Sequence, residues 1–221
     1  MTENLKTKIN ARTENTDVSF WFVRHGESEG NVLGDTCPIM HDTPLTSRGR
    51  KEAEDVASYL QKEKVPVSHI FTAPKGRSFE TAQIIASAVG LPVVVKGGLN
   101  ERNWGSWASL RWEEASERLE AMTLDERYTF VPPEGESWKE MESRLFSTLE
   151  EIAVESVGGE NVLIVTHRGC LRAILPVLAK ATREKHKEFS VPTGALSKFS
   201  FRKDEFDFVG TLPTANVSNP Q

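Results

Sequence analysis

Val18-Ser19-Phe20-Trp21-Phe22-Val23 leads directly into Arg24-His25-Gly26. Aromatic and β-branched residues dominate the first six positions, which predicts a strand that stops at the Arg-His-Gly triplet. A second stretch has the same form. Val162-Leu163-Ile164-Val165 is wholly apolar, reads as a buried strand, and ends in Thr166-His167-Arg168-Gly169. Ligands of open α/β sheets bind beyond the carboxyl ends of the strands, and a histidine stands at that point twice. The glycine soon after each lets the backbone turn sharply and approach a ligand closely.

Working outward, Ala53, Val56, Ala57 and Leu60 repeat at helical spacing. Val67 to Phe71 reads as the next strand, ended by Pro74. Phe79, Ala82, Ile85, Ala86 and Val89 form a helical stripe with Gly90 placed to cap it, and Pro92 opens a short strand over Val93 to Val95. From about Trp107 to Val157 the chain is helical with loops. There Ser137 and Glu140 fit a capping box, and Trp138, Met141, Leu145, Leu149 and Ile152 supply the stripe behind it. This region is expected to cap one end of the sheet. A helix follows from about Cys170 to Ala179, and Ala195 to Phe201 with Phe206 to Thr211 predict a closing hairpin around Lys203-Asp204. Strands alternating with helices predict an α/β three-layer sandwich with a mostly parallel central sheet. With no internal repeat or linker, a single domain is expected over residues 18–212, between a flexible N-terminal arm (1–17) and a C-terminal tail (213–221).

Composition narrows the function. The 221 residues suit one domain, and 38% apolar with 27% charged residues excludes a wholly disordered chain. The longest apolar run is strand-sized, so no membrane partner is expected. The first 17 residues are polar and lack the apolar core of a secretory signal. Net charge is −5 with no basic block and interleaved aromatics, which argues against a nucleic-acid partner. Cys37 and Cys170 lie far apart and form no C-x-x-C pair, consistent with two reduced thiols in a cytoplasmic protein rather than a disulfide framework or thiolate zinc site. An acidic chain binds anions by concentrating a few cations. Arg24 precedes His25, Arg168 follows His167, and Arg77 sits just beyond the strand end at Phe71 to Pro74. Guanidinium forks match phosphate oxygens, so the set would make a local anion trap. Taken singly, Arg24 or Arg77 could equally be a surface residue with its stem over apolar neighbours.

Arg24-His25-Gly26-Glu27-Ser28, followed by Asn31, resembles the signature of the histidine phosphatase (phosphoglycerate mutase-like) superfamily. Five further segments match in the family's order along nearly the whole chain. Asp42-Thr43-Pro44-Leu45-Thr46 with Gly49 resembles the segment opening the first helix. Thr72 to Ala82 resembles the segment carrying the second phosphate-binding arginine, here Arg77. Asn100-Glu101 with Trp104-Gly105-Ser106-Trp107 resembles the acid-bearing segment, Pro133-Glu134-Gly135-Glu136-Ser137 the G-E-S turn, and Thr166-His167 the second histidine.

The resemblance implies that His25 attacks phosphorus and becomes a phosphohistidine. It implies that Arg24, Arg77 and His167 hold the phosphoryl oxygens, that Asn31 adds a hydrogen bond, and that Glu101 protonates the leaving oxygen. Chemistry agrees with that division: phosphoryl transfer needs in-line positioning and fixed cationic donors, and an imidazole is a nucleophile at neutral pH when one nitrogen is unprotonated and the other donates to a fixed acceptor such as a backbone carbonyl. Guanidinium groups around two histidines would repel a cation, so neither a metal nor another cofactor is expected. The implied activity is a phosphoric monoester hydrolase acting on a small phosphorylated metabolite. Gly105-Ser106-Trp107, with Leu110 and Glu113, resembles phosphatase members more than mutases; the alternatives are mutase-type phosphoryl transfer and a silent phosphate-binding scaffold.

Duller readings stand beside these. Glu101 could be a solvated loop carboxylate, Ser28 a helix cap rather than a ligand contact, and Trp104, Trp107 and Trp112 packing residues. His41 and Cys37 lie in the loop after the first motif, where they could line the pocket, and are given no site role; His69 and His186 read as structural or solvated. The chain departs from the pattern at Arg168, usually a small residue, which could be a fourth cation for substrate or point outward. It departs also at Gly30, and at Ser78 and Glu80, where Glu80 could pair with a cation. An exposed edge strand or the hairpin could support a homodimer.

Overall fold

The structure is a computed structural model and describes residues 3–7, 18–34, 42–74, 76–156, 161–202 and 205–212. His41, Cys37 and the Lys203-Asp204 turn lie outside the described residues. Among these residues six strands form one sheet: β1 (Val18–Arg24), β2 (His69–Thr72), β3 (Val93–Val95), β4 (Asn161–Thr166), β5 (Leu196–Arg202) and β6 (Glu205–Leu212), in the order β3-β2-β4-β1-β5-β6. The first four in that order run parallel, and the β5–β6 hairpin adds antiparallel to β1. This is the expected α/β sandwich with a mostly parallel sheet. Between the strands come α1 (Glu29–Leu33), α2 (Ser47–Lys62), α3 (Gly76–Val89), α4 (Trp112–Glu120), α5 (Leu124–Thr129), α6 (Trp138–Glu155) and α7 (Arg168–Leu178).

Period-two alternation builds the three layers. Phe20 and Phe22 of β1, with Val162 and Ile164 of β4, face a core shared with Met141, Leu145, Leu149 and Ile152 of α6 and Leu171 and Ile174 of α7. Trp21 and Val23, with Leu163 and Val165, face the other way onto Val56, Ala57 and Leu60 of α2 and Ala82 and Ile85 of α3. Every residue of β4 is buried, which is why its sequence is a continuous apolar run rather than an alternation. The capping box is present: Ser137 Nα donates to Glu140 Oε2 at 2.7 Å, and Glu140 Nα to Ser137 Oγ at 3.0 Å. The helical region before it divides into two 3₁₀ turns (Gly97–Leu99 and Gly105–Ser109), α4 and α5.

Two boundaries differ from expectation. β2 starts at His69 rather than Val67, because Val67 N–H turns back to the Val65 carbonyl at 2.8 Å and the chain reaches the sheet only where Ser68 N–H meets the Asn161 carbonyl. Part of the expected N-terminal arm is docked: residues 3–7 are helical, Leu5 is buried in the α6–α7 core, and Asn4 Nδ2 donates to Glu150 at 2.7 Å. No helix among the described residues is long and apolar enough to cross a membrane.

Candidate active site

In the β1–β4 register Arg24 stands opposite Thr166, and His25 N–H donates to the Thr166 carbonyl at 3.0 Å. The next residue on each strand, His25 and His167, therefore emerges side by side at the carboxyl edge. Their rings lie 5.2 Å apart, inclined at 62°, and both side chains are buried. His25 Nδ1 lies 2.8 Å from the Gly26 carbonyl oxygen. A carbonyl only accepts, so Nδ1 carries the proton and the Nε2 lone pair is free to accept. It does so from Arg77 Nε at 3.1 Å. Sequence reasoning asked for this tautomer and for a backbone acceptor.

Arg77 is the second residue of α3, and its Nη1 also lies 3.3 Å from Asp42 Oδ1. Asp42 Oδ2 accepts from Gly76 N–H at 3.0 Å, so this carboxylate fixes the helix start that carries the arginine. Arg24 is tethered through Nη1 to the Val191 carbonyl at 2.8 Å, while its Nε is buried with no hydrogen-bond partner among the described residues. A buried orphan guanidinium donor is suited to an incoming oxyanion.

The cations act on one another and on the imidazole. Burial first, then the charges of Arg77 and Arg24, hold the His25 pKa well below its ordinary value. Burial and then the Arg168 charge lower Arg24 to about 10. Arg168 itself is exposed at the first position of α7. It stands at the rim within electrostatic reach of both groups, without being enclosed.

Glu101 arrives from the loop after the Gly97–Leu99 turn. Thr166 Oγ1 donates to the Leu99 carbonyl at 2.8 Å, Arg144 Nη1 to the Gly98 and Asn100 carbonyls at 2.6 and 3.1 Å, and Cys170 Sγ to the Asn100 carbonyl at 3.1 Å. The carboxylate is then gripped by two backbone donors, Arg102 N–H on Oε1 and Gly169 N–H on Oε2, both at 3.0 Å. Burial drives the Cys170 thiol pKa far up, so it serves as a packed donor rather than a nucleophile.

Ser28 and Asn31 are placed less centrally. Asn31 is exposed, and its Oδ1 accepts from both Ser28 N–H and Ser28 Oγ at 3.0 Å, closing the start of α1. Ser28 is buried in that cap, as the duller reading had it. Asn31 keeps its Nδ2 as a donor group. Glu80 pairs with Arg50 at 2.7 Å, and the tryptophans pack on neighbours: Trp104 against Trp112, Trp107 against Phe130.

A family model for the histidine phosphatase superfamily (branch 1) matches residues 20–211. The chain belongs to that superfamily. A 2,3-bisphosphoglycerate-dependent phosphoglycerate mutase from Cytophaga hutchinsonii is 35% identical over 82% of this chain and 88% of its own length. A metal-independent phosphoserine phosphatase from Arabidopsis thaliana is 32% identical over 80% of this chain and 75% of its own. Among solved structures, the alpha-ribazole phosphatase from Shigella flexneri superposes with a TM-score of 0.77 over 91% of this chain and 100% of its own, at 24% identity, a likeness of fold.

Two residues of this histidine phosphatase superfamily member were given no site role by sequence reasoning. Glu52 of α2 is buried at 2% exposure, where Oε2 accepts from Glu27 N–H at 2.8 Å and Oε1 from Thr193 Oγ1 at 3.2 Å and Arg48 Nε at 3.1 Å. It ties the turn after His25 to the loop before β5. Its signal was a carboxylate on the apolar stripe of a helix, beside Ala53 and Val56. Ser78, read only as a departure from the pattern, is fully buried with Oγ 3.2 Å from His167 Nε2.

Proposed function

We propose that this chain is a metal-independent phosphomonoesterase that acts on a small phosphorylated metabolite through a phosphohistidine at His25. The observation that carries the reading is the state of His25: Nδ1–H is fixed on the Gly26 carbonyl, Nε2 is an acceptor, and its pKa is held low by burial and two arginines. An imidazole so held keeps its lone pair at neutral and mildly acidic pH.

In the proposed cycle a phosphoryl group enters between the histidines, and Arg77 Nε–H turns from His25 Nε2 to a phosphoryl oxygen. The orphan Arg24 Nε–H and the His167 imidazole take other oxygens, with Asn31 Nδ2 as a further donor. Nε2 attacks phosphorus in line, the ester P–O bond breaks, and Glu101 gives its proton to the leaving alkoxide. Glu101 then takes a proton from a water whose oxygen attacks phosphorus; the P–Nε2 bond breaks with its electron pair returning to His25, and orthophosphate is released. General acid–base help of this kind contributes typically about 10²–10⁴-fold. The guanidinium groups supply the charge stabilisation that divalent ions supply elsewhere.

The 35% identity to a phosphoglycerate mutase favours a second reading, in which a sugar-acid hydroxyl rather than water accepts the phosphoryl group. Phosphate release from a panel of phosphomonoesters in the presence of chelator, with and without His25→Ala, tests the first. Release that survives chelator and disappears in the variant is expected. Transfer from 2,3-bisphosphoglycerate to phosphoglycerate outpacing phosphate release from every ester would establish the mutase instead.

A further inference from the structure

Beside the catalytic site lies a second cavity of about 600 Å³, within the range of small-ligand sites, and none of His25, Arg77, Glu101 or His167 lines it. It opens between the start of α6, the middle of α7 and the α4–α5 segment. Trp104, Trp112 and Trp138 give it aromatic walls. Two arginines stand in those walls on tryptophan faces: Arg102 lies 4.3 Å over the Trp104 ring and Arg172 6.0 Å over the Trp138 ring. Among the described residues neither makes an ion pair with a carboxylate. Arg102 donates only to backbone, the Glu136 and Phe130 carbonyls. Arg172 Nε is buried with no hydrogen-bond partner among the described residues. Burial lowers the pKa of both, Arg102 to about 10. Of the charged groups that line the cavity, Arg102, Arg127 and Arg172 stand with Glu120 and Glu142, beside His186. Glu142 accepts from Tyr128 Oη at 3.1 Å and Glu120 is exposed at the rim, while from outside the lining Glu136, Glu101 and Glu140 act on Arg102 and Glu101 on Arg172.

Aromatic faces already covered by cations do not call for a further cation. They extend a flat stacking surface toward buried guanidinium groups that no carboxylate among the described residues pairs directly. We propose that this cavity is a second ligand site, distinct from the catalytic pocket, for a planar aromatic molecule bearing a carboxylate, with the ring among the tryptophans and the anion on Arg172. Glu101 and Arg102 separate the two sites: the first turns its carboxylate to Gly169 at the start of α7, the second its guanidinium to Trp104 and the cavity.

The probe is naphthalene-2-carboxylate, with neutral naphthalene-2-methanol beside it, read by calorimetry and by the indole N–H resonances of nitrogen-labelled protein. The expected result is saturable binding of the carboxylate that shifts the Trp104, Trp112 and Trp138 signals, at least tenfold tighter than the alcohol. It persists in His25→Ala and under saturating orthophosphate, so it stands or falls apart from the phosphatase reading. Arg172→Met weakens it at least tenfold, Arg172→Lys less, and Val177→Phe, which fills the cavity and leaves its charges, abolishes it. Absence of saturable binding, equal affinity for the alcohol, or displacement by orthophosphate would overturn the assignment.

Discussion

Gly169 and Glu101 are in contact that leaves no room for a side chain: the glycine N–H holds Oε2 at 3.0 Å, and a Cβ at position 169 would fall 2.2 Å from Oε1. The obstacle is the end of a flexible side chain, so Gly169→Ala expels the carboxylate rather than unfolding the helix. Alanine is also the better helix former by about 1 kcal/mol. The variant is expected to lose about 10²-fold in kcat on an ester with an alkoxide leaving group, with a thermal midpoint close to that of the parent. Steady-state kinetics and calorimetry on one preparation separate the two effects. Unchanged kcat would remove Glu101 from the role of acid.

The depressed His25 pKa sets a pH dependence of stability. In the unfolded chain His25 titrates near 6.5, whereas in the folded chain burial, Arg77 and Arg24 keep it neutral to well below that. Below about pH 6.5 the unfolded state binds a proton that the folded state does not, so stability is full above that pH and falls as pH drops toward the folded value. The limiting slope is about 1.4 kcal/mol per pH unit. Denaturant midpoints of the parent and His25→Ala between pH 8 and 5 are expected to converge on the acid side. Parallel curves would show that His25 protonates freely in the folded protein.

Much of the site could be read because strand ends carry their own chemistry. β1 and β4 announce themselves by apolar and β-branched runs, and the histidine after each needs only the parallel register of Arg24 with Thr166 to meet its counterpart. The Ser137–Glu140 cap and the β5–β6 hairpin are likewise local patterns. What stayed hidden depends on tertiary closure. Leu5 is one apolar residue in a polar stretch, and only the α6–α7 surface gives it a place. The tryptophans read one by one as packing residues, whereas Trp104 and Trp112 line one cavity with Arg172 only once α4, α6 and α7 are brought together. Glu52 sits on the core stripe of α2, one turn after Arg48, where a carboxylate conflicts with its surroundings until Glu27 N–H and Thr193 are brought to it from elsewhere in the chain.

Removing Glu52 therefore leaves Glu27 N–H and Thr193 Oγ1 without this acceptor, while Arg48 keeps its pair with Glu27 at 3.4 Å. Hydrogen bonds to a buried charged group are worth roughly 1.5–3 kcal/mol, and Arg48 is half exposed and adds little. Glu52→Ala is expected to cost about 3 kcal/mol in urea denaturation and, on the proposed function, to slow phosphate release by loosening the turn after His25. Glu52→Gln, which keeps one acceptor oxygen, is expected to recover about half. Equal behaviour of the two variants would mean that the packing of the side chain, and not its acceptor oxygens, holds the turn.

The turn after His25 also sets the sign of a substitution that helix propensity alone gets wrong. Gly49 is in the first turn of α2, where Gly→Ala ordinarily stabilises a helix by about 1 kcal/mol. Here a Cβ at 49 would stand 2.0 Å from the Glu27 carbonyl oxygen, and one at Gly26 would stand 2.2 Å from the Gly49 carbonyl oxygen. Both obstacles are backbone, and the Glu27 carbonyl is also held by Thr46 N–H at 2.9 Å. Neither side can yield without moving the loop that carries His25. Gly49→Ala is expected to destabilise by about 3 kcal/mol, the upper range for overpacking, and to reduce turnover with it. Gly97→Ala is the control, because nothing lies within 4 Å of its added Cβ, and it is expected to change stability by less than about 1 kcal/mol. Denaturant curves of the two variants side by side distinguish close backbone approach from a general intolerance of alanine.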